Sequence, residues 1–377
     1  MSAPLAGRRI GLLTASASRL GGGVFEAVVA QAALIRSLGG EAQIFALADR
    51  HTEEDRARFG PSPVIATPVI GPSQVGYSPS LHKALALADL DALHLHGIWM
   101  YPSAAGTAWA RETGRPYFVS PHGMLDPWIT ARGRWKKALA RAGYERASWS
   151  RAHAIHALTS TEARDIVRET GRRNTLIIPN AAPAPPPVAQ SGERGPTVLY
   201  IGRIHSKKNL LAMVAAWRSL TRPANARLLI CGWGDDADVA ALTAAVNAAG
   251  DSVAFLGPVF GASKAALFAT ASFAILPSLS EGLPMAILEA WAHGTPTIMS
   301  PQCNLDDGFT AGAALECGYD AVDIAPALAA ALTINTVEWA KMSAAAQALA
   351  AGPFSAQAVA RQWGEAYGAA ITGQPIA

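Results

Sequence analysis

Short apolar runs alternate with helix-forming stretches along this chain, and this alternation limits its fold more than any other feature. Residues 24–38 have the composition of a first helix. In the first half, strand character is found at residues 9–14, 42–46, 92–96, 116–120, 154–157 and 176–179. Strands that alternate with helices form parallel sheets covered by helices. The first half therefore predicts a doubly wound α/β domain.

A second series of the same kind follows a proline-rich break. Neither a helix nor a central strand can continue through Pro183, Pro185, Pro186 and Pro187, or through Gly192 and Gly195. Strand runs then recur at residues 197–201, 227–231, 253–256, 273–276 and 296–299.

These patterns predict two Rossmann-like domains, residues 1–182 and 197–354, joined by a linker at 183–196. We expect them to face each other across a cleft, with ligands bound at the carboxyl ends of the strands. An amphipathic helix within about residues 355–377 either packs back on the first domain or covers the second.

Composition excludes several classes of protein. With 377 residues, the chain is longer than a single core usually supports. A net charge of +3 is too small to indicate a nucleic-acid substrate. The three cysteines are far apart in sequence and favour a reducing cytoplasm. No apolar run approaches the roughly 20 residues that cross a bilayer, so we expect any membrane association to be peripheral.

Glu281 and Glu289 flank a predicted turn from a strand into a helix. Gly282 permits the turn, and Pro284 suits the first helical position. Glu281 then lies before the helix, while Glu289 lies about one and a half turns inside it. The helix N-terminal amides between them, near Leu283, suit a phosphate. Taken alone, the spacing of the two carboxylates favours helix-dipole compensation and a solvated helix face over a binding site, and only the surrounding residues indicate function.

Two loops at the start of the two domains have the composition of ligand loops. Gly21, Gly22 and Gly23 follow the first strand, where a glycine backbone can approach a ligand closely or form an ordinary tight turn. Arg203 and Lys208 occupy the equivalent place after the first strand of the second domain. Their charges could neutralise a departing diphosphate.

Histidines close two predicted strands of the first domain. His122 follows the strand at 116–120 and could contact a sugar or a proton. His94 and His96 form a His-x-His pattern, but no third metal ligand is evident nearby. We interpret His94 as structural and leave the role of His96 open.

Two further motifs match known signatures incompletely. Gly232-Trp-Gly-Asp-Asp236 resembles a dinucleotide fingerprint, yet Asp235 and Asp236 would compete with a pyrophosphate for the helix amides. Asp89-Leu-Asp91 resembles the Asp-x-Asp of metal-dependent sugar transferases, but it precedes its strand, at the wrong end for a ligand.

The combined motifs resemble glycosyltransferase family 4, a family of retaining enzymes with the GT-B fold. The resemblance extends from the glycine loop through residues 178–181 and the two charged segments to residues 294–296. Residues 120–128 and 300–305 look like members that build bacterial surface polysaccharides or their lipid-linked precursors. The chain departs from the commonest pattern by Gly-Leu-Pro after Glu281, where many relatives have Gly-Phe-Gly-Leu-Pro, and by Asn209, where glycine is usual.

The resemblance implies a role for each candidate on the donor side. Arg203 and Lys208 match the pair that holds the donor diphosphate, and Glu289 matches the carboxylate that binds the ribose hydroxyls. Glu281 matches the carboxylate that contacts the donor sugar. Amides at Gly282 and Leu283 would hold phosphate.

In the first domain, His122 matches a residue that touches the transferred sugar, and Gly22 and Gly23 would approach donor and acceptor. The resemblance implies retention by front-face attack, in which the leaving diphosphate helps to deprotonate the acceptor. No metal and no cofactor beyond the UDP-sugar or GDP-sugar donor are then expected. Glu281 is then a sugar-binding group rather than the general acid of a hydrolase.

The acceptor side rests on a basic, aromatic segment at residues 128–151. It could lie on an anionic membrane and receive a lipid-linked acceptor, or it could be a solvated helix with core tryptophans. Two other functions stay open: a nicotinamide-dependent oxidoreductase that uses the Gly232 loop, and a GT-B protein that binds or epimerises a sugar nucleotide without transfer.

Overall fold

The computed structural model describes residues 3–184 and 194–374, in two compact units. One unit comprises Met1–Pro179 with Val359–Ala377, and the other comprises Asn180–Ala358. Most of the predicted linker, residues 185–193, lies outside the described residues.

The first unit is built on a seven-stranded parallel sheet with strand order β3-β2-β1-β4-β5-β6-β7. Its strands are β1 Arg9–Thr14, β2 Glu41–Leu47, β3 Val64–Thr67, β4 Ala92–His96, β5 Tyr117–Ser120, β6 Ala154–Ala157 and β7 Thr175–Ile177. Its helices up to the linker are α1 Gly23–Ser37, α2 Thr52–Asp55, α3 Pro79–Leu87, α4 Pro102–Thr113, α5 Pro127–Thr130, α6 Arg134–Ala140, α7 Arg146–Arg151 and α8 Ser160–Thr170. The apolar strands are buried on both faces, as a helix-covered parallel sheet requires.

The second unit repeats the plan with six parallel strands in the order β10-β9-β8-β11-β12-β13. The strands are β8 Thr197–Ile201, β9 Arg227–Cys231, β10 Val253–Phe255, β11 Phe273–Leu276, β12 Thr297–Met299 and β13 Ala314–Glu316. The remaining helices are α9 Leu210–Ser219, α10 Asp236–Asn247, α11 Gly261–Thr270, α12 Met285–Ala292, α13 Asp306–Thr310, α14 Ala321–Thr333, α15 Thr336–Ala351 and α16 Ala356–Thr372. The predicted doubly wound fold is confirmed in both halves.

Helix α16 packs on the first unit. The Tyr367 hydroxyl accepts a hydrogen bond from Gln31 Nε2 at 3.0 Å and lies 2.7 Å from His94 Nδ1. The Trp363 ring packs against His94, with a centroid distance of 5.0 Å. Aromatic residues near the end of the chain thus complete the core beside the first sheet.

Differences from the predicted elements have simple causes. Pro116, Pro179 and Pro296 fall just outside the strands predicted to include them, because proline cannot donate to a strand ladder. Strands β3 and β13 were not predicted, since each is short and lies at a sheet edge. Within the described residues no single helix is long and apolar enough to span a membrane. One pair bent by 109°, Ala321–Thr333 with Thr336–Thr372, passes the test on length and composition only.

Candidate active site

Each sheet has one point where the strand order reverses, and the predicted site residues other than His122, which follows β5, lie on the loops and helix that follow these points. In the first sheet this point lies between β1 and β4. Strand β1 leads into the glycine loop, and β4 ends at His96. In the second sheet this point lies between β8 and β11. Strand β8 leads into the Arg203–Lys208 segment, and β11 leads into the Glu281 loop. Side-by-side parallel strands that diverge into loops on opposite faces leave a crevice for a ligand.

Lys208 ends a short 3₁₀ helix whose last turn depends on Asn209. Asn209 has a φ of 60°, in the left-handed region where glycine is favoured and asparagine is tolerated. Its side-chain amide also donates to the Tyr319 carbonyl at 2.6 Å. The departure from the family pattern is therefore conservative in backbone terms, because asparagine adopts the conformation that glycine provides.

Lys208 and Glu281 form an ion pair at the second switch point. The Lys208 ammonium contacts Glu281 Oε1, and Ser278 Oγ donates to the same oxygen at 2.5 Å. The Leu279 amide also donates to the Lys207 carbonyl at 2.8 Å, which joins the two loops through their backbones. The Lys208 and Glu281 side chains keep 21% and 12% exposure, so a ligand can reach them. A charged pair at this position can exchange partners with an incoming phosphate or hydroxyl.

The Glu281 loop is held from below by the segment after β12. Gln302 accepts a backbone hydrogen bond from the Glu281 amide at 3.0 Å, and Asn304 Nδ2 donates to the Glu281 carbonyl at 2.6 Å. Ser300 Oγ donates to the Ser278 carbonyl at 2.5 Å. The residues 300–305 that the family resemblance singled out thus brace the loop that positions Glu281.

Two details of this turn differ from the prediction. Pro284 is the cap before the helix, with φ −76° and ψ 106°, and α12 begins at Met285. Gly282 does not use the left-handed region, and a Cβ placed on it would meet no atom within 4 Å. Glycine therefore leaves open space above the loop instead of enabling its turn. Leu283 is buried beside it.

Glu289 has a partner that the sequence did not predict. It lies inside α12, and the Lys264 ammonium of α11 is 2.5 Å from its Oε2. Lys264 is one helical turn past Phe260, whose ring packs against Trp233 with a centroid distance of 5.9 Å, and both rings are more than half exposed. No local signal pairs residues 25 positions apart, so only the tertiary fold reveals Lys264.

Arg203 differs from Lys208 in having an uncommitted side chain. Its guanidinium is exposed, and no residue in the described ranges accepts a hydrogen bond from it or pairs with it. Its backbone is fixed, since Tyr200 Oη donates to the Arg203 carbonyl at 2.7 Å. The structure thus places Arg203 on the same loop as Lys208 but does not join it to the Glu281 cluster.

The glycines of the Gly232 loop allow it to pack closely against the loop at residues 202–204. A Cβ on Gly232 would lie 1.8 Å from the Gly202 carbonyl oxygen, and one on Gly234 would lie 2.0 Å from the Ile204 carbonyl oxygen. The Ile204 amide donates to the Trp233 carbonyl at 2.7 Å. The dinucleotide-like spacing therefore reflects close contact between two loops.

The glycine loop of the first unit borders a largely apolar cavity of about 400 Å³. A Cβ on Gly22 or Gly23 would meet no atom within 4 Å, and Gly22 has a φ of 55°. The cavity is lined by Thr14, Ala15, Ser16, Leu20, Gly21, Val24, Leu47, Ala48, Asp49, Val69, Ser73, His96, Gly97, Ile98, Met100, Pro102 and Met124. These residues include the carboxyl ends of β1, β2 and β4, so the cavity occupies the first switch point.

His122 is held by His96. Its Nε2 lies 3.0 Å from His96 Nδ1, and the two rings stack with a centroid distance of 5.2 Å. His122 has a φ of 53°, an uncommon conformation for a residue with a side chain. Burial and the nearby His156 lower the pKa of His122 to about 3, so its imidazole is neutral. His96 Nε2 is buried and has no hydrogen-bond partner among the described residues.

His94 belongs to a buried chain of hydrogen bonds whose directions can be assigned. Burial lowers the pKa of His156 to about 4, and that of His94 well below its usual range. His156 Nε2 contacts the Ile178 carbonyl at 2.8 Å and must donate, so its Nδ1 accepts from Ser120 Oγ at 2.7 Å. His94 Nε2 then donates to Ser120 Oγ at 2.6 Å, and Tyr367 donates to His94 Nδ1. His94 is therefore fully satisfied by the protein.

The Asp89-Leu-Asp91 motif has structural partners. Asp91 accepts from the Arg9 amide at 2.8 Å and pairs with Arg8, while Asp89 pairs with Arg115. Both precede β4, as predicted. In the described part of the chain, no three His, Cys, Asp or Glu side chains are grouped as metal ligands.

Comparison with known proteins assigns both halves to one class. A family model for glycosyl transferases group 1 matches residues 195–333, and a model for a glycosyl transferase 4-like domain matches residues 22–181. The uncharacterized glycosyltransferase MJ1607 of Methanocaldococcus jannaschii is 31% identical over 103 residues, which span 27% of this chain and 26% of that protein.

Solved structures share the fold over nearly the whole chain. HepE of Anabaena, crystallised with UDP and glucose, has a TM-score of 0.76 at 18% identity and covers 95% of this chain and 99% of its own. Sucrose-phosphate synthase of Thermosynechococcus elongatus has a TM-score of 0.71 at 19% identity, covering 97% and 100%. The lipopolysaccharide outer core galactosyltransferase WaaB has a TM-score of 0.70 at 16% identity, and the match covers 97% of this chain and 99% of that chain. The chain therefore belongs to the family 4 type of glycosyltransferases and has the GT-B fold.

Proposed function

We propose that this protein is a retaining glycosyltransferase of bacterial surface polysaccharide biosynthesis. It would move a sugar from a nucleoside-diphosphate sugar to a hydroxyl of a lipid-linked or oligosaccharide acceptor. The proposal rests on two ion pairs beside the second switch point, Lys208–Glu281 and Lys264–Glu289. The names of structural neighbours support it, since HepE was crystallised with UDP-glucose and WaaB is a lipopolysaccharide galactosyltransferase.

In the proposed reaction the bond between the sugar C1 and the diphosphate oxygen breaks, and the acceptor oxygen bonds to C1 on the same face. The acceptor proton passes to the leaving diphosphate. Arg203 and Lys208 neutralise the charge that develops there, so no metal or further cofactor is required. Amides at Gly282 and Leu283 contribute the dipole of the α12 N-terminus.

The other residues hold the donor. Glu289, kept in place by Lys264, would accept from the ribose hydroxyls, and Glu281 would accept from the sugar. Burial lowers the pKa of His122 to about 3, which supports a role for it as a neutral hydrogen-bonding group rather than an acid. Gly22 and Gly23 lie between Gly21 and Val24, which line the first-unit cavity where the acceptor would bind.

We further propose that the protein acts in the cytoplasm, at the inner face of the membrane. Part of the 128–151 segment is committed to the fold, because Trp149 is buried and Arg151 donates to the Ala110 carbonyl at 2.6 Å. Trp135 and Leu139, however, are about two-thirds exposed. They are four residues apart on α6 and so share a face, which supports contact with lipid.

A thermal-shift panel of nucleoside diphosphates, their sugars and NAD tests the donor class, because a bound ligand raises apparent stability. We expect UDP or GDP and the matching sugar nucleotide to stabilise the protein; stabilisation by NAD alone would contradict the proposal. Proton NMR of the product then reports whether the anomeric configuration is retained. Donor binding without hydrolysis or transfer would favour the alternative of a GT-B protein that only binds a sugar nucleotide. Conversion of the donor sugar into its epimer would favour the alternative of an epimerase.

A further inference from the structure

A groove of about 720 Å³ lies on the first unit, beside the helix that carries Trp135. It is formed where α5, α6 and α7 meet α8. Its lining residues are Pro127, Thr130, Ala131, Arg134, Trp135, Ala138, Arg141, Arg146, Arg168 and Glu169. Four guanidinium groups thus face one carboxylate in a single depression.

Two of the four guanidinium groups are committed to the protein. Arg141 pairs with Glu169 and lies over the Trp99 ring, with its Cζ 5.3 Å from the ring centroid. Arg168 donates to Asp165 at 2.5 Å and to the Leu125 carbonyl at 3.0 Å. These contacts fix the floor of the groove.

The other two, Arg134 and Arg146, are exposed, and within residues 3–184 and 194–374 neither has a hydrogen-bond or ion-pair partner. They approach the groove from different elements, since Arg134 begins α6 and Arg146 begins α7. Between these helices the backbone forms a π-helical turn at Arg141–Glu145, a local widening that recurs at functional sites. Unpaired guanidinium groups that converge on one depression match the oxygens of a phosphoryl group.

The surroundings distinguish a lipid from a soluble anion. The same helix exposes 66% of Trp135, at the groove, and 65% of Leu139, one turn further on. Trp128, which follows the groove residue Pro127 in sequence, is 37% exposed, and the Arg132 Cζ lies 3.4 Å from its ring centroid. A soluble anion makes no use of such an apolar rim, whereas a phospholipid places its head among arginines and its chains against tryptophan and leucine.

We propose that this groove binds the phosphoryl head of an anionic lipid through Arg134 and Arg146. The inference deepens the proposed function, on which it rests for the membrane-bound acceptor. It names the groups that would hold a lipid phosphate near the surface of the first unit.

Co-sedimentation with phosphatidylcholine vesicles, with and without phosphatidylglycerol, tests the groove. We expect the full-length protein to bind only the anionic vesicles, and R134Q/R146Q to bind them about 30-fold more weakly, since each basic residue near such a surface contributes about 1 kcal/mol. The matched control is R111Q/R361Q, which removes two exposed arginines from helices α4 and α16 of the same unit. Inorganic pyrophosphate should displace the wild-type protein from vesicles.

Three outcomes would overturn the inference: no binding to anionic vesicles, equal weakening in both double variants, or stronger competition by an oligogalacturonate than by pyrophosphate. The last would indicate an acidic saccharide site. R134K/R146K keeps the charge but loses the planar fork, so we expect it to bind between wild type and R134Q/R146Q. UDP affinity, measured on the same samples, should be unchanged in every variant; absence of UDP binding in the wild type would instead count against the proposed donor chemistry.

Discussion

The two sheets have corresponding strand orders around their switch points, yet the side chains at these points differ in kind. The first carries neutral imidazoles beside a largely apolar cavity. The second carries lysines paired with glutamates. The shared fold therefore fixes where a ligand can bind, and the local side chains decide which chemistry is presented there.

Burial explains this difference. The hydrogen-bonding groups of His94, Ser120 and His156 are satisfied by other protein atoms, so ionising any of these imidazoles would place an unpaired charge in the core. Lys208 and Glu281 keep partial exposure, and among the described residues each has only the other as a charged partner. The first arrangement stabilises the fold, and the second can give its hydrogen bonds to a ligand.

The largest effect that separates the two regions is expected from Lys208→Ala. If Lys208 holds the donor diphosphate, its loss should weaken UDP binding by about 3 kcal/mol, roughly 100-fold, because a charge-assisted hydrogen bond to phosphate is removed. Isothermal titration measures this. Lys341→Ala, which removes a lysine from an exposed ion pair on α15, is the control and should bind UDP normally.

His122→Ala in the first unit should lower turnover but leave UDP affinity within about twofold. Equal losses of UDP affinity in Lys208→Ala and His122→Ala would contradict the comparison of the two regions.

A loss of stability is expected from Ser120→Ala. The substitution leaves the His94 Nε2 donor and the His156 Nδ1 acceptor buried without a partner, at a cost of about 2–4 kcal/mol. Urea unfolding measures the change. Ser37→Ala removes a hydroxyl that bonds its own helix at the surface and should change stability by less than about 0.5 kcal/mol. Similar values for the two variants would show that the buried chain of hydrogen bonds contributes nothing.

Acidification should affect the first unit through the same histidines. Their folded-state pKa values lie below the usual 6.5, with His156 at about 4 and His122 at about 3. Through these histidines the unfolded chain binds more protons than the folded one below about pH 6.5, so their contribution to stability falls as the pH drops from there toward 4. Glu145, whose pKa burial raises to about 7, acts in the opposite direction. His156→Gln removes one of these groups and should flatten the pH dependence of unfolding between pH 6 and 4. An unchanged slope would contradict the assigned neutral state.

The smallest effect on stability is expected from Gly23→Ala. A Cβ at this position meets no atom within 4 Å and φ is not positive, so unfolding should change by less than about 1 kcal/mol. If the loop approaches a ligand, the added methyl group should still lower kcat/KM. Gly368→Ala on α16, also with open space around its Cβ, serves as the control for activity. Full activity in Gly23→Ala would remove the glycine loop from the site.

The sequence predicted the repeated fold well because apolar runs and proline breaks are local signals. It also brought Lys208 and Glu281 to one switch point, since both follow adjacent strands of the sheet. It could not predict Lys264 beside Glu289, or His96 beside His122, because these pairs depend on how distant segments pack. It misjudged Gly282, whose role is to leave space, because composition does not reveal backbone angles.

The central claim is that a nucleoside diphosphate binds at the carboxyl edge of the second sheet. Hydrogen–deuterium exchange of the full chain measures where a ligand protects the backbone amides. The ligand is a nucleoside-diphosphate sugar that stabilises the protein in the thermal-shift panel, and exchange is compared with and without it at a saturating concentration. We predict protection concentrated at residues 202–209 and 280–290. Protection confined to residues 232–236, or no protection in the second unit, would contradict the account.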